Sequence, residues 1–192
     1  MTRPTDPRKP QVTARLSEED WIQAGFAILA EEGIKALKLD RLCARLAVTK
    51  GSFYWHFESM AGFRRRLVES WAELRDRDRR DFDALGALPP RERLSRMMTA
   101  LTSPRHWMLE RAMREWARTD SAAAASVRTA DRRVLDAVRQ AFLDHGFDPA
   151  DADLRANATF AAGIGFLHLA GDRPGAHGIA HRERFLELML TP

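Results

Sequence analysis

From Ser17 onward the chain is punctuated as a string of helices, and no run alternates apolar and polar residues long enough to form a strand. Ser17 precedes Glu18, Glu19 and Asp20, and Asp20 stands where its carboxylate can reach back to a helix cap. Trp21, Ile22, Phe26 and Leu29 supply an apolar side, and Gly33 a stop. Leu42 and Leu46 lie one turn apart in a short helix after Leu39. Ser59 can cap a long, highly charged helix to about Leu85, which "GALPP" breaks. Two helices flank Ser103-Pro104. A long one runs from about Ser121 to His145, where Gly146 ends it and Asp148-Pro149 opens the next. "GDRPGAHG" at 171–178 reads as a loop, and "HRERFLELML" closes the chain as a helix. The expectation is an all-α protein of about nine helices. With 192 residues, 45% of them hydrophobic, it can bury a real core.

Lys and Arg outnumber Asp and Glu by 31 to 27, which permits nucleic acid as a partner without requiring it. The distribution is more informative. Between residues 35 and 57, Lys35, Lys38, Arg41, Arg45 and Lys50 face only Asp40. Residues 1–16 carry Arg3, Arg8, Lys9 and Arg15 against Asp6, and read as a flexible basic arm. That arm is either a solvated tail or a minor-groove contact through Arg3, Arg8 and Arg15. The single cysteine, Cys43, rules out an intrachain disulfide and suits a reducing cytoplasm. "MTRPTDPRKPQ" has no apolar leader, and the longest apolar run, 160–170, is interrupted by His168. A bilayer span needs roughly 20 such residues, so a cytoplasmic protein without membrane attachment is expected.

The basic window surrounds "TKGSFYWHF", Thr49 to Phe57. On a helix at about 100° per residue, Phe53 and Phe57 share a core side and Trp55 falls nearly opposite. Gly51, Ser52, Tyr54 and Trp55 then form the outer face, with Lys50 at the helix N-terminus. Leu39, Leu42 and Leu46 would bury a preceding helix, "AVT" would make the turn, and Thr49 can cap the second helix. This is a helix-turn-helix pattern, whose second helix enters a major groove while the first crosses the backbone.

From about Trp21 through Phe63, "AEEG", "LDRLCARLAVT" and "KGSFYWHF" resemble the TetR family of transcription regulators. The resemblance implies a DNA-binding domain at 17–58 and a helical effector-binding and dimerisation domain at 59–192. It implies a homodimer built by the last two long helices, an operator that is palindromic double-stranded DNA, and repression relieved by a small molecule of unknown identity. Lys38, Thr49, Lys50, Gly51, Ser52, Tyr54, Trp55 and His56 become the candidate DNA-binding residues, with Tyr54 and His56 similar to the family's phosphate-contacting pair. Lys50 can donate to guanine or to phosphate, Gly51 lets backbone approach closely, and Trp55 can lie on sugar or a thymine methyl. Three positions depart from the family pattern. Ala47 occupies the usual turn glycine, Met60 a common lysine, and Lys38 a usual threonine.

The resemblance implies a pocket in this region, with Trp107, Met108, Met113, Trp116 and Phe142 as candidate lining residues, since methionine adapts to varied apolar ligands; ordinary core packing is the alternative. Met97 and Met98 fall in the same stretch. Phe160, Ile164, Leu167, His168, Phe185 and Met189 are candidates for the dimer interface, where the small residues of "FAAGIGFLHLA" would allow close helix approach. "RDRDRR" at 75–80 reads as a solvated helix face. No cofactor, metal or catalytic site is expected: there is no Gly-rich phosphate loop, nucleophile elbow or paired-His motif. The alternatives are an activator, an effector-independent regulator, or a helical enzyme or scaffold carrying the motif.

Overall fold

The computed structural model describes residues 16–101, 104–169 and 176–191, and the basic arm lies outside them except for Leu16. Nine α-helices and two 3-10 turns make up the described chain, without a strand: α1 Glu18–Glu32, α2 Leu39–Leu46, α3 Lys50–Tyr54, α4 Met60–Ala84, α5 Pro90–Leu101, α6 Pro104–Ala117, α7 Ser121–His145, α8 Pro149–Leu169 and α9 Ala176–Leu190.

The helix ends follow local chemistry. Ser17 and Asp20 form a reciprocal capping box, with Ser17 N donating to Asp20 Oδ2 at 2.7 Å and Asp20 N to Ser17 Oγ at 3.2 Å. Ser59 Oγ accepts from Gly62 N at 3.1 Å. Asp120 Oδ1 accepts from Ala123 N at the start of α7, and Gly146 ends that helix at φ 109°. Asp148 Oδ1 accepts from both Ala150 N and Asp151 N, with Pro149 at the first helical position. The loop expected through residue 178 is shorter: Ala176, His177 and Gly178 already belong to α9. Glycine near a helix N-terminus interrupts no ladder bond, because the first four N–H groups have no intrahelical acceptor.

Two apolar cores form. The first gathers Trp21, Ile22, Phe26, Ile28 and Leu29 of α1, Leu42 of α2, Phe53 of α3, and Phe63, Leu67 and Trp71 of α4. It does not stop at residue 58, the boundary expected from sequence. It runs along α4 and on to Met113 and Trp116 of α6 and Ala123 and Val127 of α7. The second joins Leu94, Met97 and Met98 of α5 to Val138, Ala141 and Phe142 of α7, Ala152 and Ala156 of α8, and Leu186 of α9. α4 and α6 therefore carry the N-terminal core into the rest of the molecule.

Gly25 shows how closely α1 meets α4. A Cβ built there would lie 2.7 Å from Phe63 Cζ and 3.1 Å from Leu67 Cδ1. Gly25→Ala should destabilise the protein by about 1–3 kcal/mol in urea titration, despite alanine's better helix propensity, because the aromatic ring has to leave its rotamer.

Candidate nucleic-acid interface

α2 and α3 build a helix-turn-helix. Val48 N donates to Cys43 O at 3.0 Å, and Ala47 makes the turn in the left-handed region at φ 54°, ψ 43°. An L-residue pays about 1 kcal/mol there, so alanine at this position carries a tolerable strain. Val48 packs against the first core as the pattern requires. Cys43 of α2 is buried on its inner side, and that burial pushes the thiol above its ordinary range, which keeps the reactive thiolate scarce.

α3 is shorter than expected. The helix ends at Tyr54, with Trp55 as a C-cap that still has right-handed helical φ and ψ. The chain nevertheless stays in a turn, because Phe53 O accepts from His56 N at 2.9 Å and from Phe57 N at 3.0 Å. That turn is why Phe57 still reaches the core, 5.2 Å from the Phe53 ring and 4.9 Å from Phe63. Phe53 itself is fully buried, with Trp21 edge-on at 5.4 Å. Thr49 occupies the cap position, but its side chain makes no cap bond.

The opposite face meets solvent. Tyr54 is 59% exposed and Trp55 78%, among the few large apolar side chains left uncovered. His56 is half-buried, its ring 6.4 Å from Trp21. Gly51 is exposed, and a Cβ there would meet nothing nearer than Thr49 Oγ1 at 3.7 Å. Nothing among the described residues of the protein requires glycine at this position. Ser52 is half-buried beside it, and Lys38 is exposed at the start of α2 with no ion pair among the described residues.

Electrostatics here differ from the sequence count. Lys50 Nζ lies 2.6 Å from Asp40 Oδ1, and that hydrogen bond holds the lysine above its ordinary range. Arg41 forks onto Glu32, with Nε and NH2 donating at 3.0 and 2.7 Å, and Arg45 onto Glu31 at 2.6 and 2.7 Å. The glutamates come from the end of α1, outside the basic window, and they absorb two of its five cations. Counting charge along residues 35–57 missed them because the pairing is across helices.

A second concavity lies away from this face, between α4, α5, α6, α7, α8 and α9. Of the pocket candidates, Trp107 lines it. Met113 and Trp116 belong to the first core, Phe142 is fully buried in the second, and Met108 is half-buried outside the lining. Met97 and Met98 do line it, as do Phe160, Ile164 and Leu167, which the sequence had suggested for the dimer interface. Phe185 and Met189 pack against the second core, while His168 is exposed. Among the described residues no helix is long and apolar enough to cross a membrane.

Residues 22–67 match the family model for bacterial regulatory proteins of the tetR family. No curated protein matches the sequence. Among solved structures, a TetR transcriptional regulator from Legionella pneumophila superposes with a TM-score of 0.76 at 12% identity, covering 94% of this chain and 100% of that one. A transcriptional regulator from Rhodococcus sp. Rha1 gives 0.74 at 18% identity, covering 91% and 94%. A transcriptional regulator from Aquifex aeolicus gives 0.65 at 17% identity, covering 90% and 96%. At such identities the likeness is one of fold over nearly the whole chain, and the matched segment contains the helix-turn-helix just described. Residues 22–67, with their helix-turn-helix, are similar to the DNA-binding segment of bacterial regulatory proteins of the tetR family, and the fold around them is shared with solved transcriptional regulators.

Proposed function

We propose that this regulator is a homodimeric repressor that binds a palindromic operator through α3 and leaves it when a small molecule occupies the C-terminal cavity. The observation that carries the DNA-binding part is the outer face of α3. Tyr54 and Trp55 are exposed beside a glycine that the fold does not need, on the helix a helix-turn-helix presents to a major groove. Lys38, Thr49, Lys50, Ser52 and His56 complete the surface, and Lys50 must exchange Asp40 for DNA as it binds. In a dimer the two α3 helices would read half-sites about 34–36 Å apart.

The supporting division is 1–16 as arm, 17–58 as DNA-binding domain and 59–192 as effector and dimer domain, with α4 and α6 coupling the last two. Gly165 supports a dimer on α8. A Cβ there would meet nothing within 4 Å in the monomer, and a helical glycine costs about 1 kcal/mol unless a neighbour uses the space. The effector has to bind the DNA-incompetent state more tightly than the competent one.

Fluorescence anisotropy on DNA selected from a random pool tests this reading. The selected sites should be palindromes, and affinity should fall steeply with salt. Tyr54→Ala should weaken all sequences by a similar factor, whereas Lys50→Ala should also narrow the gap between selected and random DNA. Binding that ignores salt, or a selection that returns no shared sequence, would overturn the proposal.

A further inference from the structure

The cavity of the C-terminal half has charged residues in its wall, yet those charges are closed onto one another. Glu110 of α6 is buried, and each of its oxygens takes one guanidinium: Arg75 of α4 on Oε2 and Arg114 on Oε1, both at 2.7 Å. Arg114 also forks onto Asp131 of α7 at 2.5 and 3.0 Å, and Arg75 reaches Asp78 at 2.7 Å. Arg182, from α9, has a contact of its own, although its Nε, like that of Arg114, is buried without an acceptor. A cationic ligand would therefore find Glu110 and Asp131 already taken, and an anionic one would compete with those carboxylates for Arg75 and Arg114.

The rest of the wall is apolar: Leu94, Met97, Met98, Trp107, Ile164 and Leu167. One neutral polar group is left over. Thr159 of α8 is 5% exposed, lines the cavity, and its Oγ1 has no hydrogen-bond partner. A buried hydroxyl without a partner costs free energy, so such groups are almost always satisfied in folded proteins. Rotation about χ1 exchanges the hydroxyl with the methyl, so Oγ1 can be turned toward an occupant. The cavity itself measures about 60 Å³. That is room for about four waters, and Met97 and Met98 can move aside to enlarge it.

We infer that the cavity takes a compact, uncharged, largely apolar molecule carrying a single hydroxyl or carbonyl, which exchanges a hydrogen bond with Thr159. This rests on the proposal that the cavity is the effector site, and it names the chemical class that site selects. Neutral hydroxyl and carbonyl compounds share the needed chemistry, since threonine both donates and accepts.

Four near-isosteric probes test it: benzyl alcohol, ethylbenzene, benzylammonium and benzoate. Each is titrated into full-length protein carrying [13C-methyl]methionine, where Met97 and Met98 report the cavity and Met113 the first core. The two neutral compounds should shift Met97 and Met98 and leave Met113 in place. The two ions should bind at least about a hundredfold more weakly than benzyl alcohol. In Thr159→Val, benzyl alcohol should lose about tenfold in affinity while ethylbenzene is unchanged, and the free variant should melt above the parent because its orphan hydroxyl is gone. Ions binding as well as the alcohol, equal effects of Thr159→Val on both neutral probes, a lowered melting point of that variant, or no response at Met97 and Met98 would each overturn the inference. Anisotropy on operator DNA separates the two claims. Probes that occupy the cavity but never weaken the DNA complex would count against effector release and leave the ligand class standing.

Discussion

Phe53→Ala should cost about 3–5 kcal/mol of stability and abolish DNA binding with it. The ring is fully buried and edge-to-face or tilted against Trp21, Phe57 and Phe63, at 5.4, 5.2 and 5.8 Å. Truncation loses the transfer of the ring from water, these contacts and a fourth with Tyr54 at 5.5 Å, and the filling of the space beneath α3. That helix has five residues, too few to hold itself together, so its position depends on this anchor. Against a typical total of about 5–15 kcal/mol the loss is severe. Urea titration followed by Trp fluorescence checks it, with Phe53→Leu as control. The leucine variant should recover more than half of the loss, because it refills most of the volume.

Glu110→Ala should cost about 3 kcal/mol, the second-largest effect expected. The carboxylate is the centre of the chain Asp78–Arg75–Glu110–Arg114–Asp131, which ties α4 to α6 and α7. Burial alone would lower the pKa of Arg114, yet the Asp131 and Glu110 carboxylates hold its guanidinium above the ordinary arginine range. Removing Glu110 leaves Arg75 and Arg114 each with one acid, and two guanidiniums facing each other with nothing of opposite charge between them. Glu110→Gln keeps the shape and one acceptor, and should retain about half of the stability that alanine loses. Thermal melts of the three proteins at one salt concentration check the order. Because α4 also carries Phe63 and Leu67 into the first core, Glu110→Gln should alter the ligand sensitivity of DNA binding more than DNA binding itself.

The readable parts of this chain were the local ones. Ser17, Asp20, Gly146 and Asp148 act on residues two to four positions away, so their spacing alone predicts where helices begin and end. Phe53 and Phe57 were placed toward the core by periodicity, and the turn after Tyr54 kept Phe57 there although the helix itself had ended. The unreadable parts depend on distant partners. "RDRDRR" reads as a solvated face, but the Arg75 side chain is only 13% exposed, because an acid 35 positions later sits on the helix packed against it. The Glu31–Arg45 and Glu32–Arg41 forks escape a windowed charge count for the same reason. Met113 and Trp116 resemble pocket residues by type. Their helix turns them toward α1 instead, and only the packing of α6 on α1 decides that.

The central claim is that the outer face of α3 meets DNA at close range, and Gly51 tests it with the least ambiguity. Inside the protein a methyl at this position clashes with nothing, and alanine is the better helix former. Gly51→Ala should therefore raise stability by about 0.5–1 kcal/mol. On DNA the same methyl would stand between backbone and groove, so affinity for the selected operator should fall about tenfold or more, roughly 1.4 kcal/mol. Melting temperature and anisotropy measured on one preparation give both signs together. A more stable protein that binds the operator more weakly is the predicted result; a variant with unchanged operator affinity would contradict the placement of α3 against DNA.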